Sequence, residues 1–244
     1  MFDDEHPSRG ANQTGSRRAL IVRGGWDGHQ PVETTDSVIP FLEGAGFDVR
    51  VEDSSDVYAD QAILAATDLI VQSNTMDTIE QDALFGLIAA VRAGTGFAGW
   101  HGGIADSYRS STEYLQLVGG QFADHPARPL AERLGDGTDN DLVHTIDIVP
   151  AQAAHPIVAG IDDFTLDTEQ YWVLTDDYND VLATTTIAAR PDDPWSRPIV
   201  CPAVWTRRWG AGRVFVATPG HDLDDLAHPS LRTIIERGLV WASR

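Results

Sequence analysis

Gly96-Phe97-Ala98-Gly99-Trp100-His101-Gly102-Gly103 is the stretch on which the fold turns. A short apolar run stops at a histidine, and glycines flank that histidine in the pattern G-x-H-x-G. Glycine accepts backbone angles that other residues avoid, so the chain can turn sharply out of a strand here. The middle side chain is then held at the carboxyl edge of a sheet, as hydrolases hold the serine of a nucleophile elbow. Here that side chain is an imidazole. Taken alone, the pattern fits equally a histidine that hydrogen-bonds its neighbours in a tight turn, because short motifs recur by chance. The surrounding chain has to decide.

Upstream, apolar strands alternate with helical periodicity. Ala19-Leu20-Ile21-Val22 runs into Arg23-Gly24-Gly25-Trp26-Asp27-Gly28-His29, a glycine-rich turn of the kind that follows a first strand in α/β sheets. Pro31 stands where a helix can begin with proline in its first turn. Val38, Phe41 and Leu42 give that helix an apolar face; Pro40 is expected to kink it, and Gly44 or Gly46 to end it. Residues 47–51 alternate as a second strand, 60–66 suit a short helix, and Leu69-Ile70-Val71 is a third strand. Ile79, Leu84, Leu87, Ile88 and Val91 then recur at helical spacing. This order predicts a doubly wound, mostly parallel α/β sheet flanked by helices, flavodoxin-like, with right-handed crossovers. Gly94, Gly96 and Gly99 match G-x-G-x-x-G, but that fingerprint must follow a strand and open a helix. These glycines precede and interrupt a strand, so nucleotide binding there is excluded.

Downstream, residues 112–118 read as a short helix closed by Gly119-Gly120, with Gln121-Phe122-Ala123-Asp124-His125-Pro126 following. Residues 126–140 read as a loop. Its acids, Asp136 and Asp139, with Asp141 just beyond, lack the closing glutamate of a calcium loop and read as a solvated acidic segment. Residues 144–149 alternate as a strand, 155–160 form a turn, 164–172 gather acids and aromatics, and 181–187 form another strand. Residues 198–206 and 212–218 make an added β-hairpin, which delivers Thr218-Pro219-Gly220-His221-Asp222 at its end. A last helix covers 229–241. With no internal repeat or linker, residues 17–244 read as a single domain behind a disordered tail, 1–16.

Composition narrows the partners. The 244 residues include 37 acidic and 17 basic side chains, a formal net charge of −20. That field repels nucleic acid phosphates and anionic lipid, so neither nucleic acid nor membrane is expected as a partner. All the basic residues are arginine, which removes any lysine Schiff-base or P-loop chemistry. A single cysteine, Cys201, excludes an intramolecular disulfide and reads as a buried structural thiol. No apolar run reaches the length of a membrane span, and the polar, acidic start is no secretory signal, so a cytoplasmic location is expected.

Three histidines hold comparable places. His29, His101 and His221 each follow a strand at a glycine-rich turn, and open α/β sheets bind ligands at the carboxyl ends of their strands. The three can share one site, although each alone could cap its own loop. Imidazoles serve acid–base chemistry near neutral pH and also ligate metals. Glu169 is the carboxylate expected to orient an imidazole or complete a metal site. His101, His221 and Glu169 are therefore the candidate catalytic residues. Trp26, His29, Trp100, Gly102, Gly103, Tyr171 and Asp222 are the candidate substrate-binding residues. With Trp172, these aromatics offer flat faces beside polar groups, which suits the apolar C–H face of a sugar. His29, His101 and His221 are also the candidate ligands of a divalent metal, zinc or manganese, without a short spacing signature to support it. His125, His144, His155 and His228 read as structural, with Asp124-His125-Pro126 at a pocket rim as the alternative.

Several motifs fall in order along nearly the whole chain: Gly99-Trp100-His101-Gly102-Gly103, Gly119-Gly120-Gln121-Phe122 with His125-Pro126, and His155-Pro156-Ile157. Asp167-Thr168-Glu169-Gln170-Tyr171, Pro202-Ala203-Val204-Trp205-Thr206, Gly210-Ala211-Gly212-Arg213-Val214 and Gly220-His221 complete the series. Together they resemble the ThuA-like (trehalose-utilisation) family. The resemblance implies a class I glutamine amidotransferase-like fold and a role in carbohydrate catabolism, on trehalose or related disaccharides, beside oxidoreductases that make keto-sugars. It also implies that some relatives hold a metal. Glutaminase relatives carry a cysteine at the elbow; here His101 stands there and Cys201 lies in another element, so glutamine hydrolysis through a thioester is excluded. The expected chemistry is proton transfer beside the ketone of an oxidised disaccharide, as a keto-sugar isomerase, lyase or hydrolase, with His101 or His221 as base and Glu169 as orienting group or partner acid. Metal-assisted hydrolysis and non-catalytic sugar binding or regulation remain open beside it. The expected partner is a small-molecule carbohydrate; a homo-oligomer is compatible with the sequence, which does not itself indicate one.

Overall fold

The computed structural model describes residues 16–125, 140–191 and 193–244; most of the expected tail and the expected loop from 126, with Asp136 and Asp139, lie outside them. The first strand, β1 (Arg17–Gly25), buries Ala19 to Val22 completely and leads through a single turn, Asp27–His29, into α1 (Pro31–Gly44). Proline at the first helical position loses no hydrogen bond, because that N–H has no partner within the helix. Pro40 lies inside α1 without ending it, and Gly46, at φ +87°, makes the reversal into β2 (Phe47–Glu52). Asp60 caps α2 (Gln61–Ala66) by accepting from the N–H groups of Ala62 and Ile63.

The next strand, β3 (Leu69–Thr75), is longer than its apolar trio suggests. Gln72, Ser73, Asn74 and Thr75 extend it, and all four are buried. Gln72 is affordable there because it is fully bonded: its amide donates to Tyr114 (2.6 Å) and Ser107 (2.9 Å), and its carbonyl accepts from Tyr58 (3.0 Å). After α3 (Gln81–Ala93) come β4 (Gly96–Trp100), α4 (Gly102–Ala105) and α5 (Thr112–Val118). The remaining strands are β5 (Gly120–Asp124), β6 (Asp141–Ile148), β7 (Phe164–Glu169), β8 (Trp172–Thr175), β9 (Asp180–Ile187), β10 (Ile199–Trp209) and β11 (Gly212–Ala217). The chain ends with α6 (Leu223–Leu226) and α7 (Pro229–Ala242).

Among the described residues the central sheet runs β2-β1-β3-β4-β11-β10-β9-β6-β7. Strands β2 to β11 pair parallel. From β11 through β10, β9, β6 and β7 the pairing is antiparallel. The expected hairpin, β10–β11, is thus the start of a longer antiparallel wing. Side-chain alternation divides the core in two. Ile21, Val71, Ala98 and Phe215 face α1 and α7, while Leu20, Ile70, Phe97 and Val214 face α2, α3 and α5. Helices on both faces of a largely parallel sheet make this an α/β fold of the flavodoxin-like kind. The acid–aromatic stretch separates into two strands of different sheets, β7 in the central sheet and β8 in a ribbon with β5. Among the described residues no helix is long and apolar enough to cross a membrane.

Candidate active site at the carboxyl ends of the parallel strands

His101 leaves β4 at φ +48°, ψ −145°, a conformation unusual for a side-chain-bearing residue. Such a residue costs on the order of 1–3 kcal/mol and persists where its surroundings fix it. They do so here: its N–H donates to the carbonyl of Ala217 at 2.7 Å, and its Nδ1–H donates to the carbonyl of Thr218 at 2.8 Å. The two glycines after it are demanded by close approach. A Cβ on Gly102 would stand 2.6 Å from Nδ1 of His29, and one on Gly103 would stand 2.6 Å from Cα of Ser73.

The side chains converge from the ends of six strands, β1, β4, β5, β7, β8 and β11. Glu169, at the end of β7, is 4% exposed and places Oε2 3.1 Å from His101 Nε2. His221, in the turn after β11, brings Nδ1 to 3.2 Å from that oxygen and 3.3 Å from His101 Nε2. His29 presents Nε2 at 4.0 Å from the oxygen, while its Nδ1 is 2.9 Å from the Thr75 hydroxyl. Tyr171 places its hydroxyl 2.7 Å from His101 Nε2. His125 Nε2 comes within 2.9 Å of Glu169 Oε2, but off the N–H direction, so the pair is a close contact and not a well-directed hydrogen bond. Asn140 donates to the other carboxylate oxygen at 3.3 Å.

Burial and charge set the protonation states. Burial, then repulsion from His101 and His221, pushes the His29 imidazole down to about 2, so it is neutral. Burial also lowers His101, against the pull of Glu169. Burial alone would raise the Glu169 carboxyl, but hydrogen bonding to His101 and His221, with His125 in close contact, outweighs it and keeps the group ionised. For His221 the balance runs the other way: burial lowers it, while the hydrogen bond and charge of Glu169 raise it further. Because Nδ1 of His101 must carry the hydrogen it gives to Thr218, the neutral ring offers a lone pair at Nε2. A lone pair and a carboxylate oxygen 3.1 Å apart repel unless a proton or a cation lies between them.

Of the residues singled out in the sequence, the structure gathers His29, His101, His221, Glu169 and Tyr171 into one cluster. Trp26 stands at its lip, 42% exposed, with its ring 4.8 Å from that of His29. Trp100 does not belong with them: it is 2% exposed and packs in the core on the α1 and α7 side. Nor does Trp172, which packs edge-on against Trp195 at 5.2 Å. Asp222 is occupied as the cap of α6, where it accepts from the N–H of Asp225. His125, read as structural with the pocket rim as the alternative, reaches Glu169. Its place beside the carboxylate follows from the pairing of β5 with β8, for which the sequence carries no local signal. Cys201 is buried in β10, as expected.

Fold and site together define an α/β protein with an imidazole raised at the strand-to-helix elbow, where glutaminases raise a thiol. Residues 18–242 match the family model ThuA, described as trehalose utilisation, and the chain belongs to that family. A ThuA-like protein from Parabacteroides merdae shares the fold with a TM-score of 0.69 at 18% identity, over 93% of this chain and 90% of the other. One from Bacteroides uniformis gives 0.69 at 15% identity, over 98% and 95%. A Salmonella typhimurium protein described as cytoplasmic gives 0.61 at 13% identity, over 93% and 100%. Likeness at these identities speaks to fold alone. No curated protein matches the chain.

Proposed function

We propose that the chain acts on a sugar or keto-sugar in carbohydrate utilisation, by proton transfer among His101, His221 and Glu169. One observation carries the reading: His101 Nε2, His221 Nδ1 and Glu169 Oε2 lie 3.1–3.3 Å from one another, with more basic nitrogen and oxygen than protons to share. Such a trio can take a proton from substrate and return it without passing it through bulk water. Beside a sugar ketone, the base removes the neighbouring C–H proton and the electron pair moves onto the carbonyl oxygen. Reprotonation at the former carbonyl carbon, with the hydroxyl proton of the neighbouring carbon passing to the enolate oxygen, isomerises the sugar. Alternatively, departure of a glycosidic oxygen, protonated by the same trio, cleaves it. The family's description and the exposed indole of Trp26 beside His29 support a sugar as the substrate. The test is exchange of that C–H proton with deuterium oxide, read by NMR on an oxidised disaccharide, together with product formation. Wild type should exchange and convert the sugar, and His101→Ala should do neither. Unchanged turnover by the variant would overturn the reading, as would wild type that binds sugar without exchange; the latter would favour a binding or regulatory protein.

A second reading is favoured by a separate observation. The outer nitrogens of His29 and His101 both meet oxygens, of Thr75 and Thr218, which turns both Nε2 atoms inward. Metal-ligating histidines are commonly held this way. The ligand atoms of His29, His101, Glu169 and His221 lie within 4.8 Å of one another, and three imidazoles with one carboxylate suit zinc or manganese. These four residues would hold the ion, which would supply Lewis-acid polarisation of the sugar carbonyl. Elemental analysis of tag-free protein decides: near-stoichiometric metal, lost in His101→Ala, supports this reading, and metal-free protein after reconstitution rejects it.

A further inference from the structure

His221 follows, and Glu169 ends, strands that the sheet keeps apart. β11 lies in its middle and β7 at its edge, with β10, β9 and β6 between them. Their side chains nevertheless stand 3.2 Å apart. One carboxylate joins the two regions. Asp225, in α6, accepts with a single oxygen, Oδ2, from the backbone N–H of His221 at 2.8 Å and from the hydroxyl of Thr168 at 2.5 Å. Thr168 is buried in β7 directly before Glu169. The turn that carries His221 is also closed from its other side, because Asp222 accepts from the N–H of Asp225 at 3.0 Å. This is a capping box displaced by one residue: Asp225 reaches back to His221, beyond the capping residue itself. A second contact fixes the far end of β7, where Phe164 stacks on His228 at 5.0 Å with the rings 19° from parallel. The whole strand is thereby docked on the 221–228 segment, and the Asp225 end of that dock lies beside the reacting groups.

We infer that Asp225 is a positioning residue of this site: its carboxylate pins the His221 turn to β7 and so sets the spacing between His221 Nδ1 and Glu169. The catalytic consequence rests on the proposed function; the positioning itself does not. A proton shared at hydrogen-bond distance tolerates little displacement, and misplacement by about 1 Å can cost on the order of 100-fold in rate. Because the Asp225 carboxylate bonds to the Thr168 hydroxyl and the His221 backbone and not to the shared proton, its loss should act on turnover and leave sugar binding nearly unchanged.

The experiment compares Asp225→Ala, Asp225→Asn and Thr168→Val in the full chain, with two readouts. One is kcat and KM on an oxidised disaccharide. The other is the NOE between the His101 and His221 rings, whose centroids are 5.2 Å apart. Asp225→Ala should lower kcat about 10- to 100-fold with KM nearly constant, and should lose the NOE. Asp225→Asn should recover most of both, since one amide oxygen can accept from Thr168 and His221 alike. Retention of the NOE at wild-type strength in Asp225→Ala would overturn the inference, as would an Asn variant no better than Ala. If Asp225→Ala fails to fold, Thr168→Val carries the same decision, with a weakened NOE in support and an unchanged one against. If wild type turns over no sugar, the proposed function falls, and the NOE still decides the positioning.

Discussion

The two halves of the sheet bring opposite things to the site. The parallel half supplies imidazoles: His29 after β1, His101 after β4, His221 after β11, each delivered by a strand followed by a tight turn. The antiparallel wing and its neighbouring ribbon supply the anion and the phenol, Glu169 at the end of β7 and Tyr171 just before β8, with one further imidazole, His125, beside the anion. The parallel half alone would be a buried group of mutually repelling bases. The wing gives them a common partner, holding His221 toward its charged form while His29 stays neutral. A scaffold thus offers groups at its strand ends, and a second layer of pairing decides what those groups can do.

The largest break in this comparison is expected from Glu169→Gln, which keeps the shape of the wing's contribution and removes its charge. Proposed turnover should fall about 1000-fold, within the range for loss of a positioned acid or base. Steady-state kinetics on the oxidised disaccharide checks it, and a loss below tenfold would mean that the imidazoles work without the wing.

Next comes pH, which tests the parallel half. The His29 imidazole is pushed down to about 2 in the fold, against 6.5 when free, so it is neutral when folded. A lowered histidine contributes stability that is fully present above pH 6.5 and lost as pH falls from there toward 2. At pH 4.5 the loss is about 2–3 kcal/mol, at about 1.4 kcal/mol per unit. His101 acts in the same direction, and His221, raised by Glu169, acts in the opposite one. Urea unfolding from pH 6.5 to 4.5 should give a steeper decline for wild type than for His29→Asn. Equal slopes would show that His29 titrates as if exposed.

Gly102→Ala tests the joint between two histidines of the same half. The new methyl group would stand 2.6 Å from His29 Nδ1, so the ring must leave Thr75 or α4 must shift. Overpacking of this kind costs about 1–3 kcal/mol, measurable as a lower urea midpoint, and it should weaken turnover as well.

The same division governs how much of the molecule is legible in its sequence. The first hundred residues, with the elbow just beyond them, read well because each step is local: Pro31 opening a helix, glycine ending it, and Gly102 and Gly103 after His101. The sequence also singles out His29, His101, His221, Glu169 and Tyr171, which the fold brings together. Trp100 was misplaced because adjacency to His101 says nothing about direction, and the sharp turn at His101 sends the two side chains apart. Asp222 and Asp225 differ by three places in one acidic run, and only the fold shows that the first caps a helix while the second reaches β7. For His125 the sequence offers no more than a pocket rim as the alternative to a structural role, for a similar reason. The β5–β8 ribbon that carries it to Glu169 joins residues about fifty positions apart, through a pairing that hydrophobic alternation alone leaves unspecified.

The smallest effect is expected where the wing touches the elbow most directly. Tyr171 is buried, its ring 4.2 Å from that of His101 and 4.5 Å from that of Phe122. Burial, then the negative charges of Glu169 and Asp106, push its phenol well above the usual range, so the hydroxyl stays protonated and donates to His101 Nε2. That bond partly occupies the lone pair which the proposed chemistry needs, and so restrains the basicity of His101. Tyr171→Phe keeps the ring packing and removes only this donor. Its removal should change kcat by about tenfold or less, since one neutral hydrogen bond is worth about 0.5–1.5 kcal/mol. The direction is informative. A fall means that the hydroxyl positions His101 or joins the proton transfer, whereas a rise means that it was competing with the substrate for Nε2. A kcat unchanged within twofold, measured with the fold intact by near-ultraviolet circular dichroism, would leave Glu169 as the wing's one contribution to the chemistry.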